Sequence, residues 1–374
     1  MIRTNLVCCS QLIIAGQFPP PVNGFSYITK ELAGLQSFRH RAAIIDLTPR
    51  HGVKGIGYHA SRLALALSGV GTIVKHAAYA PKPQVYIACE GGYGLVYTLL
   101  LVLAARCVGA SLYLHHHSFY YIDRAFPLMA LLLKIMGRSV THIFLSPDMA
   151  QRYADRYRQC VRGIVLPNSA FVEPAPQLER SEPSSPEEGL TIGLLGNLNE
   201  EKGLGRFIET LRLAKAKGLN VKGILAGPVA AAQDRITLEN AKRELADRLD
   251  YRGPVYGGDK QAFYKQIDVF VFPTSYPNEA QPTVIFEAMA YGLPTLSIDR
   301  GCIKGQVGVA GAVAQRDADF PSFALDHLAR WLADPNTFST LRLDTSRRFL
   351  EDRAKALDTA KNLLSITPLT IEPS

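Results

Sequence analysis

The chain has 374 residues, of which 47% are apolar and 20% are charged, and its formal charge at pH 7 is +8. This composition is typical of a globular protein long enough for two domains, and it excludes a disordered or fibrous chain. The positive charge, with a pI of about 9.1, suits anionic partners such as a sugar nucleotide or an anionic membrane face. Nucleic acid is not expected as a partner, because the sequence has no zinc-finger spacing and no RNA-binding signature.

The cysteines and the apolar runs bear on the location of the protein. The six cysteines show no C-x-x-C pair and no regular spacing, which indicates small buried side chains in a reducing cytoplasm. No apolar stretch reaches the roughly 18 residues that span a bilayer. The apolar segment near Met1 is interpreted as a first strand rather than as a signal peptide. We therefore expect a cytoplasmic protein. The cysteines are Cys8, Cys9, Cys89, Cys107, Cys160 and Cys302.

Strand-like runs alternate with helical patterns along the first half, which predicts α/β layers with largely parallel sheets. The turn GQFPPPVNG separates the first strand from the first helix, in which Ser26 is the expected N-cap. The expected strands are residues 11–15, 42–46, 84–88, 111–114, 141–146 and 163–167, and the expected helices are residues 26–35 and 95–108.

A change of composition divides the chain. Residues 173–188 are rich in Pro, Ser and Glu, which predicts an exposed linker. We expect an N-terminal domain over residues 1–172, a C-terminal domain over residues 189–345, and a C-terminal helix and tail over residues 346–374. Beyond the linker, the expected strands are residues 191–195, 221–226, 251–253 and 269–272, and the expected helices are residues 204–217, 230–249, 260–267 and 322–364.

The stretch PTSYPNEAQPTVIFEAMAYGLP follows a buried strand and carries two carboxylates eight residues apart, Glu279 and Glu287. Pro282 is predicted at the first helical position, and an apolar stripe follows it. Glu279 then lies in the loop before the helix, and Glu287 lies about one turn inside. The backbone N–H groups between them favour an anion, because the N-terminal end of a helix is positive. Alternatively, the two carboxylates only complement the helix dipole.

The turn GNLNEEKG, after the strand at residues 191–195, places Lys202 where its ammonium meets a phosphate. A glycine turn and a single lysine are each weak signals, because many strand-to-helix loops look alike and most lysines are solvated. Together with two glutamates on the loop of another strand, they predict a diphosphate site at the carboxyl ends of the strands.

With these motifs, the second half resembles the retaining GT-B glycosyltransferases of family 4, the glycosyl transferases group 1. The resemblance is carried by IGLLGNLNEEKGLGRFIETL, GILAGP, RGPV and IDVFVFPTSYPNEAQPTVIFEAMAYGLPTLSID. It implies two Rossmann-like domains that face a cleft, with the last helix crossing back to the first domain. It also implies that Glu279 faces the hydroxyls of the donor sugar and that Glu287 holds the ribose.

The resemblance assigns the rest of the donor site as well. Lys202 matches the phosphate-binding lysine, whereas Asn197 replaces the usual arginine of that motif, so that one diphosphate contact is neutral here. The remaining implied donor contacts are the backbone at Pro282, Thr283 and Val284 for the diphosphate, and Pro254 and Val255 beside the nucleobase.

The first half resembles the family more loosely. GQFPPPVNGFS is similar to its glycine-rich loop, which implies that Asn23 and Gly24 approach the diphosphate and the acceptor. LHHHS is similar to the segment that ends a central strand with a histidine facing the donor sugar. His117 is assigned this role, with His115 and His116 as less favoured alternatives. The other interpretation is that the three histidines at a strand end are polar loop residues with no role.

The resemblance implies transfer of a sugar from a UDP- or GDP-sugar to an acceptor hydroxyl, with retention of configuration and without a cofactor or metal. The acceptor would be a glycan or a lipid-linked glycan of cell-surface polysaccharide or lipopolysaccharide synthesis. A nucleotide-sugar epimerase or phosphorylase on the same fold, and a non-catalytic cationic binding protein, are the alternatives.

Basic residues of the first half, several of them in or beside the apolar runs at residues 95–105 and 125–136, suggest peripheral contact with the inner membrane. Buried helices with ordinary basic ends explain the same pattern. The basic residues are Arg39, Arg41, Arg106, Lys134 and Arg138.

Overall fold

The computed structural model describes residues 12–40, 42–49, 55–79, 82–137, 139–176 and 189–374, and the side chains of all of these except residues 37–40. The chain divides into two compact units. The first unit comprises Met1–Phe171 together with Lys355–Ser374, and the second comprises Val172–Ala354. The greater part of the predicted linker, residues 177–188, lies outside the described residues.

Strands and helices alternate along both units, as predicted. In chain order the strands are β1 (Leu12–Gly16), β2 (Ala43–Asp46), β3 (Gln84–Cys89), β4 (Ser111–His116), β5 (Thr141–Phe144), β6 (Val161–Val165), β7 (Leu190–Leu195), β8 (Val221–Ala226), β9 (Leu249–Tyr251), β10 (Val269–Phe272), β11 (Thr295–Ile298), β12 (Gly311–Ala314) and β13 (Leu369–Ile371).

Most helices connect successive parallel strands. In chain order they are α1 (Gly24–His40), α2 (Ile56–Tyr79), α3 (Leu95–Cys107), α4 (Tyr120–Asp123), α5 (Pro127–Met136), α6 (Pro147–Tyr157), α7 (Leu204–Ala216), α8 (Ala232–Leu245), α9 (Gly257–Lys265), α10 (Thr283–Ala290), α11 (Ile303–Val307), α12 (Phe320–Ala333) and α13 (Pro335–Asn362).

Each unit contains one sheet. The sheet of the first unit has the order β13-β6-β5-β4-β3-β1-β2, and that of the second has the order β12-β11-β10-β7-β8-β9. Neighbouring strands are parallel except for β13, which is antiparallel to β6. Central strands such as β1 and β10 are buried at every position, because helices cover both faces of a parallel sheet.

The start of α1 differs from the prediction. The helix begins at Gly24, and Asn23 rather than Ser26 caps it. Asn23 Oδ1 accepts a hydrogen bond from the Ser26 N–H at 3.0 Å, and Ser26 Oγ accepts one from the Asn23 N–H at 3.1 Å. This reciprocal pair satisfies two backbone donors that the helix itself leaves without acceptors. The sequence pattern missed it because both residue types are good caps.

The last long helix joins the two units. α13 covers Pro335–Asn362, and the division between the units falls within it, between Ala354 and Lys355. The predicted crossing of a C-terminal helix to the first domain is therefore confirmed. After α13 the chain adds β13 to the edge of the first sheet.

Candidate functional site

Two loops of the second unit come together at the carboxyl ends of β7 and β10, which are neighbours in the sheet. The Ser275 N–H donates a hydrogen bond to the Glu201 carbonyl at 2.7 Å, and Thr274 Oγ1 donates to the same oxygen at 3.3 Å. These bonds fix the loop that contains Lys202 against the loop that contains Glu279.

A glycine makes this close approach possible. Gly203 has a φ of 94°, which side-chain-bearing residues rarely adopt. A Cβ atom on Gly203 would lie 2.7 Å from the Pro273 carbonyl oxygen and 2.5 Å from Pro273 Cγ. Glycine is therefore required on both counts where α7 begins, one residue after Lys202.

Lys202 and Glu279 form an ion pair. Lys202 Nζ lies 2.5 Å from Glu279 Oε2, and Thr274 Oγ1 lies 3.3 Å from the same carboxylate oxygen. The side chains are 21% and 10% exposed, respectively, so the pair is partly shielded from water. Lys202 Nζ also lies 4.4 Å from the centroid of the Tyr276 ring, which stabilises the ammonium by a cation–π contact. The ammonium is thus held at the loop that precedes α10.

The N-terminus of α10 has neither a side-chain cap nor an acidic residue in its first turn to satisfy its free N–H groups. Pro282, which was predicted at the first helical position, is instead the residue before the helix, with φ −65° and ψ 125° and no side-chain cap. The first turn contains no acidic residue. The N–H groups of Thr283 and Val284 have no acceptor within the helix, because the first turn of any α-helix leaves them without one. Such a helix end attracts an anion.

Glu287 lies one turn inside α10, as predicted, and two side chains of α9 hold its carboxylate. Lys260 Nζ donates to Oε1 at 3.0 Å, and the Tyr264 hydroxyl donates to Oε2 at 2.8 Å. Burial raises the pKa of Tyr264 well above its usual value, with the charge of Glu287 adding to the effect, so the hydroxyl remains a neutral donor. Lys260 and Tyr264 were not predicted from the sequence as part of the site. The only available signal was their spacing of four residues on one helix face.

The loops after β7, β8 and β9 also lie against one another. Gly227 has a φ of 130°, and a Cβ atom there would lie 1.8 Å from the Gly196 carbonyl oxygen. The Gly227 N–H donates to the Gly253 carbonyl at 2.7 Å. These contacts bring Asn197, which is exposed, to the same edge of the sheet as Pro254 and Val255.

The three histidines of the first unit differ in their surroundings. His115 and His116 are fully buried in β4. His115 Nδ1 contacts the Tyr86 hydroxyl at 2.6 Å, and His116 contacts the Tyr121 hydroxyl at 3.0 Å and His142 Nδ1 at 2.9 Å. Both ring nitrogens of His116 are therefore engaged within the unit, whereas His115 is engaged through Nδ1 only.

His117 follows β4 and is only partly buried. Its ring packs edge-on against Phe25 of α1 at 5.1 Å between centroids. Its Nε2 atom is shielded from solvent and has no hydrogen-bond partner among the described residues. Burial lowers the pKa of His117 to about 3, so the imidazole is neutral. His115 also has an Nε2 atom without a hydrogen-bond partner among the described residues, but His115 is fully buried within β4, whereas His117 is partly exposed beyond the end of the strand. Gly24, at the start of α1, is exposed, and a Cβ atom added there would meet no other atom within 4 Å.

Within the described ranges, no group of three or more His, Cys, Asp and Glu side chains is arranged to hold a metal ion. That substrate binding needs no metal stays a prediction.

Comparison with known proteins identifies relatives of this architecture. Residues 177–342 match the family model of the glycosyl transferases group 1. No curated protein sequence matches the chain significantly. HepE of Anabaena, solved in complex with UDP and glucose, is 16% identical, with a TM-score of 0.67 over 95% of this chain and 99% of that chain.

Two further structures are similar. The lipopolysaccharide outer core galactosyltransferase WaaB, in its apo form, is 13% identical, with a TM-score of 0.68 over 95% of this chain and 99% of that chain. The catalytic domain of starch synthase IV from Arabidopsis thaliana, bound to ADP and acarbose, is 12% identical, with a TM-score of 0.64 over 93% of this chain and 99% of that chain. At these identities the similarity shows the fold. The predicted fold class, two Rossmann-like α/β domains as in GT-B glycosyltransferases, is therefore confirmed.

Proposed function

We propose that the chain is a retaining glycosyltransferase, which transfers a sugar from a nucleoside diphosphate sugar to an acceptor hydroxyl. The observation that carries the proposal is the uncapped N-terminus of α10, with the Lys202–Glu279 pair at the loop that precedes it and Glu287 one turn inside the helix. The match of residues 177–342 to the glycosyl transferases group 1 supports it. So does the nucleotide reported in the complexes of two structural relatives.

The diphosphate would bind at this helix end. The N–H groups of Thr283 and Val284 and the ammonium of Lys202 would contact its oxygens. Negative charge grows on the diphosphate as the bond to the sugar breaks, and fixed donors aimed at that charge stabilise the transition state. With Asn197 in place of the family's arginine, Lys202 supplies the cationic contact. Because these groups provide the positive charge, we propose that no metal is needed and that a chelator leaves the activity unchanged.

The two glutamates would hold the ends of the donor. Glu279 would accept hydrogen bonds from the sugar hydroxyls, and Glu287 would accept them from the ribose. Lys260 and Tyr264 keep the Glu287 carboxylate in place before the donor arrives, which reduces the entropy lost on binding. Pro254 and Val255 would contact the nucleobase.

The first unit would contribute His117 and Gly24. A neutral imidazole with an unpaired Nε2 suits a hydrogen bond to a sugar hydroxyl, whereas its low pKa argues against a role as a proton donor near neutral pH. Gly24 leaves room for the diphosphate or the acceptor. The departing phosphate would take the proton of the acceptor hydroxyl, so that no separate enzymatic base is needed.

We propose a UDP- or GDP-sugar as the donor and a glycan or lipid-linked glycan as the acceptor, in cell-surface polysaccharide or lipopolysaccharide synthesis. The similarity to a complex of HepE with UDP and glucose and to a lipopolysaccharide galactosyltransferase supports this setting. We also propose a cytoplasmic location. It is supported by the free thiols of the described cysteines, Cys89, Cys107, Cys160 and Cys302.

A thermal-shift screen against UDP-, GDP- and ADP-sugars tests the proposal. A donor present at about 100 times its dissociation constant is expected to stabilise the protein by about 2.7 kcal/mol. Product analysis with the donor so identified should then show acceptor-dependent transfer, with the anomeric configuration retained by NMR. A released free sugar or an epimerised nucleotide sugar, without dependence on acceptor, would identify a phosphorylase or an epimerase instead. No response to any nucleotide would contradict a donor site.

A further inference from the structure

Helix α2 of the first unit carries apolar residues on both of its faces. The buried residues of its inner face are Arg62, Ala66, Gly69 and Ile73. A Cβ atom on Gly69 would lie 2.7 Å from Ile45 of β2 and 2.9 Å from Leu101 of α3, so this face is tightly packed. A helix at the surface of a soluble domain normally carries charged residues on the opposite face.

The outer face of α2 carries almost no charged residues. Leu63, Leu67 and Val74 are 43%, 54% and 51% exposed. Between residues 60 and 79, Lys75 is the one exposed charged side chain of this helix. Among the helices of the described residues, none is both long enough and apolar enough to cross a bilayer. The outer face of α2 is therefore suited to a surface into which its apolar side chains insert without crossing it.

The neighbouring helices extend this face. α3 contacts both α2 and α5. Val96 and Leu103 of α3 are each 39% exposed, and Leu131 of α5 is 44% exposed. We call the resulting surface the apolar face of the first unit; it consists of Leu63, Leu67, Val74, Val96, Leu103 and Leu131.

The charges of these helices have one sign. The sequences of α2, α3 and α5 contain no aspartate and no glutamate. Lys75, Arg106 and Lys134 are exposed, one on each helix. Two copies joined through this same face would bring like charges together, which disfavours a dimer. An anionic bilayer surface accepts both the apolar side chains and the cations.

We propose that the apolar face of the first unit binds the surface of an anionic membrane, with α2, α3 and α5 lying along the interface. Arg106 and Lys134, which the sequence suggests for membrane contact, lie on two of these helices, α3 and α5, and the proposal adds α2. Of the other basic residues in that suggestion, Arg41 and Arg138 lie outside the described residues, and the side chain of Arg39 is not described. The proposal does not depend on the glycosyltransferase activity.

Sedimentation of the full-length protein with vesicles tests this inference. The vesicles contain phosphatidylcholine alone or phosphatidylcholine mixed with phosphatidylglycerol. The protein should bind the mixed vesicles, and binding should weaken as salt is raised. Leu67→Glu should lower the affinity by at least about tenfold, because it places a charge where an apolar side chain enters the interface. Lys75→Gln and Lys134→Gln should each lower it by about fivefold, the equivalent of about 1 kcal/mol per basic residue.

Ile236→Glu is the matched control, because Ile236 lies on α8 of the second unit and is 54% exposed, as is Leu67. This variant should bind vesicles as the wild type does, and circular dichroism should show that both glutamate variants are folded. Glu287→Ala should weaken nucleotide binding but keep vesicle binding, which separates this inference from the proposed activity. Equal binding by Leu67→Glu and the wild type, or no binding to mixed vesicles, would overturn the inference. A dimer in solution that Leu67→Glu dissociates, without vesicle binding, would assign the face to a second copy.

Discussion

Lys202 Nζ lies 2.5 Å from Glu279 Oε2, although the two residues are 77 positions apart in the sequence. The neighbouring positions of β7 and β10 bring their loops together. The pair links the lysine proposed to bind phosphate with the carboxylate proposed to bind the donor sugar. Each side chain therefore positions the other, and the two are expected to act as a unit.

A double-mutant cycle tests this coupling. Lys202→Ala and Glu279→Ala should each lower kcat/KM for the donor by about 100- to 1000-fold, the range found when one charge-stabilising group is removed. The double variant should lose less than the product of the two effects, because each single change already misplaces the other side chain. Lys217→Ala, which removes an exposed lysine after α7, should leave kcat/KM unchanged. Independent effects that multiply would contradict the coupling.

The backbone conformation of Gly203 leads to a second prediction, which concerns stability. Gly203→Ala should destabilise the second unit by at least about 2 kcal/mol, because its φ is unfavourable and its Cβ would collide with Pro273. Gly258→Ala, in the first turn of α9, meets no atom within 4 Å and should change stability by no more than about 1 kcal/mol. Urea unfolding of both variants measures the difference. If the two variants are equally stable, the described loop contact is wrong.

A buried ion pair in the first unit leads to a third prediction, which also concerns stability. Arg62 on α2 donates to both carboxylate oxygens of Glu90, and Gln17 Nε2 donates to Glu90 at 2.9 Å. The side chains of Arg62 and Glu90 are only 3% and 15% exposed. Glu90→Ala should therefore cost about 3–5 kcal/mol of unfolding free energy, because it leaves a buried guanidinium without its partner.

Two further variants complete the measurement on this pair. Arg62→Met combined with Glu90→Gln should recover much of the loss, since neither charge then remains buried. Glu244→Ala breaks an exposed pair with Arg212 and should have little effect. A loss after Glu90→Ala no larger than that after Glu244→Ala would contradict the burial of the pair.

The buried histidines predict a dependence on pH. Burial lowers the pKa of His142 to about 4 and those of His115 and His116 well below their usual value of 6.5. Each folded-state pKa lies below its unfolded value, so the unfolded chain takes up protons first as the pH falls. The stability they contribute is present above pH 6.5 and is lost as the pH falls towards 4.

Urea unfolding between pH 7 and pH 5 measures this effect. Each histidine should contribute a slope of up to about 1.4 kcal/mol per pH unit below its unfolded pKa. His142→Phe should reduce the slope by the contribution of one proton, up to about 1.4 kcal/mol per pH unit, whatever its effect on stability at pH 7. A free energy of unfolding that does not change over this range would show that these histidines are not buried as neutral groups.

Sequence pattern predicted much of the fold, because buried parallel strands appear as continuous apolar runs. β8 and β10 were predicted with their observed bounds. The helix predicted over residues 230–249 is shorter, Ala232–Leu245, since the apolar residues after it belong to β9. α2 was not predicted as a helix, because apolar residues on both of its faces remove the amphipathic period.

The candidate site was predictable only in part. Motif spacing led to Glu279, Glu287 and Lys202, and the structure places Lys202 beside Glu279. Lys260 and Tyr264, which hydrogen-bond to Glu287, belong to a different helix. Pairing between helices depends on tertiary packing, which one sequence does not show. For the same reason, sequence alone did not distinguish His117 from the two buried histidines before it.

Nucleotide affinity tests the central claim most directly, namely that α10 and its two flanking glutamates bind a nucleoside diphosphate. Calorimetric titration of the wild type should show binding of UDP or GDP. Glu287→Ala should weaken it by about 100-fold, the loss of one or two hydrogen bonds to a charged group. Tyr264→Phe should weaken it by about tenfold through the lost support of that carboxylate, and Glu209→Ala on the exposed side of α7 should not weaken it. Absence of binding in the wild type, or equal affinity in Glu287→Ala, would contradict the claim.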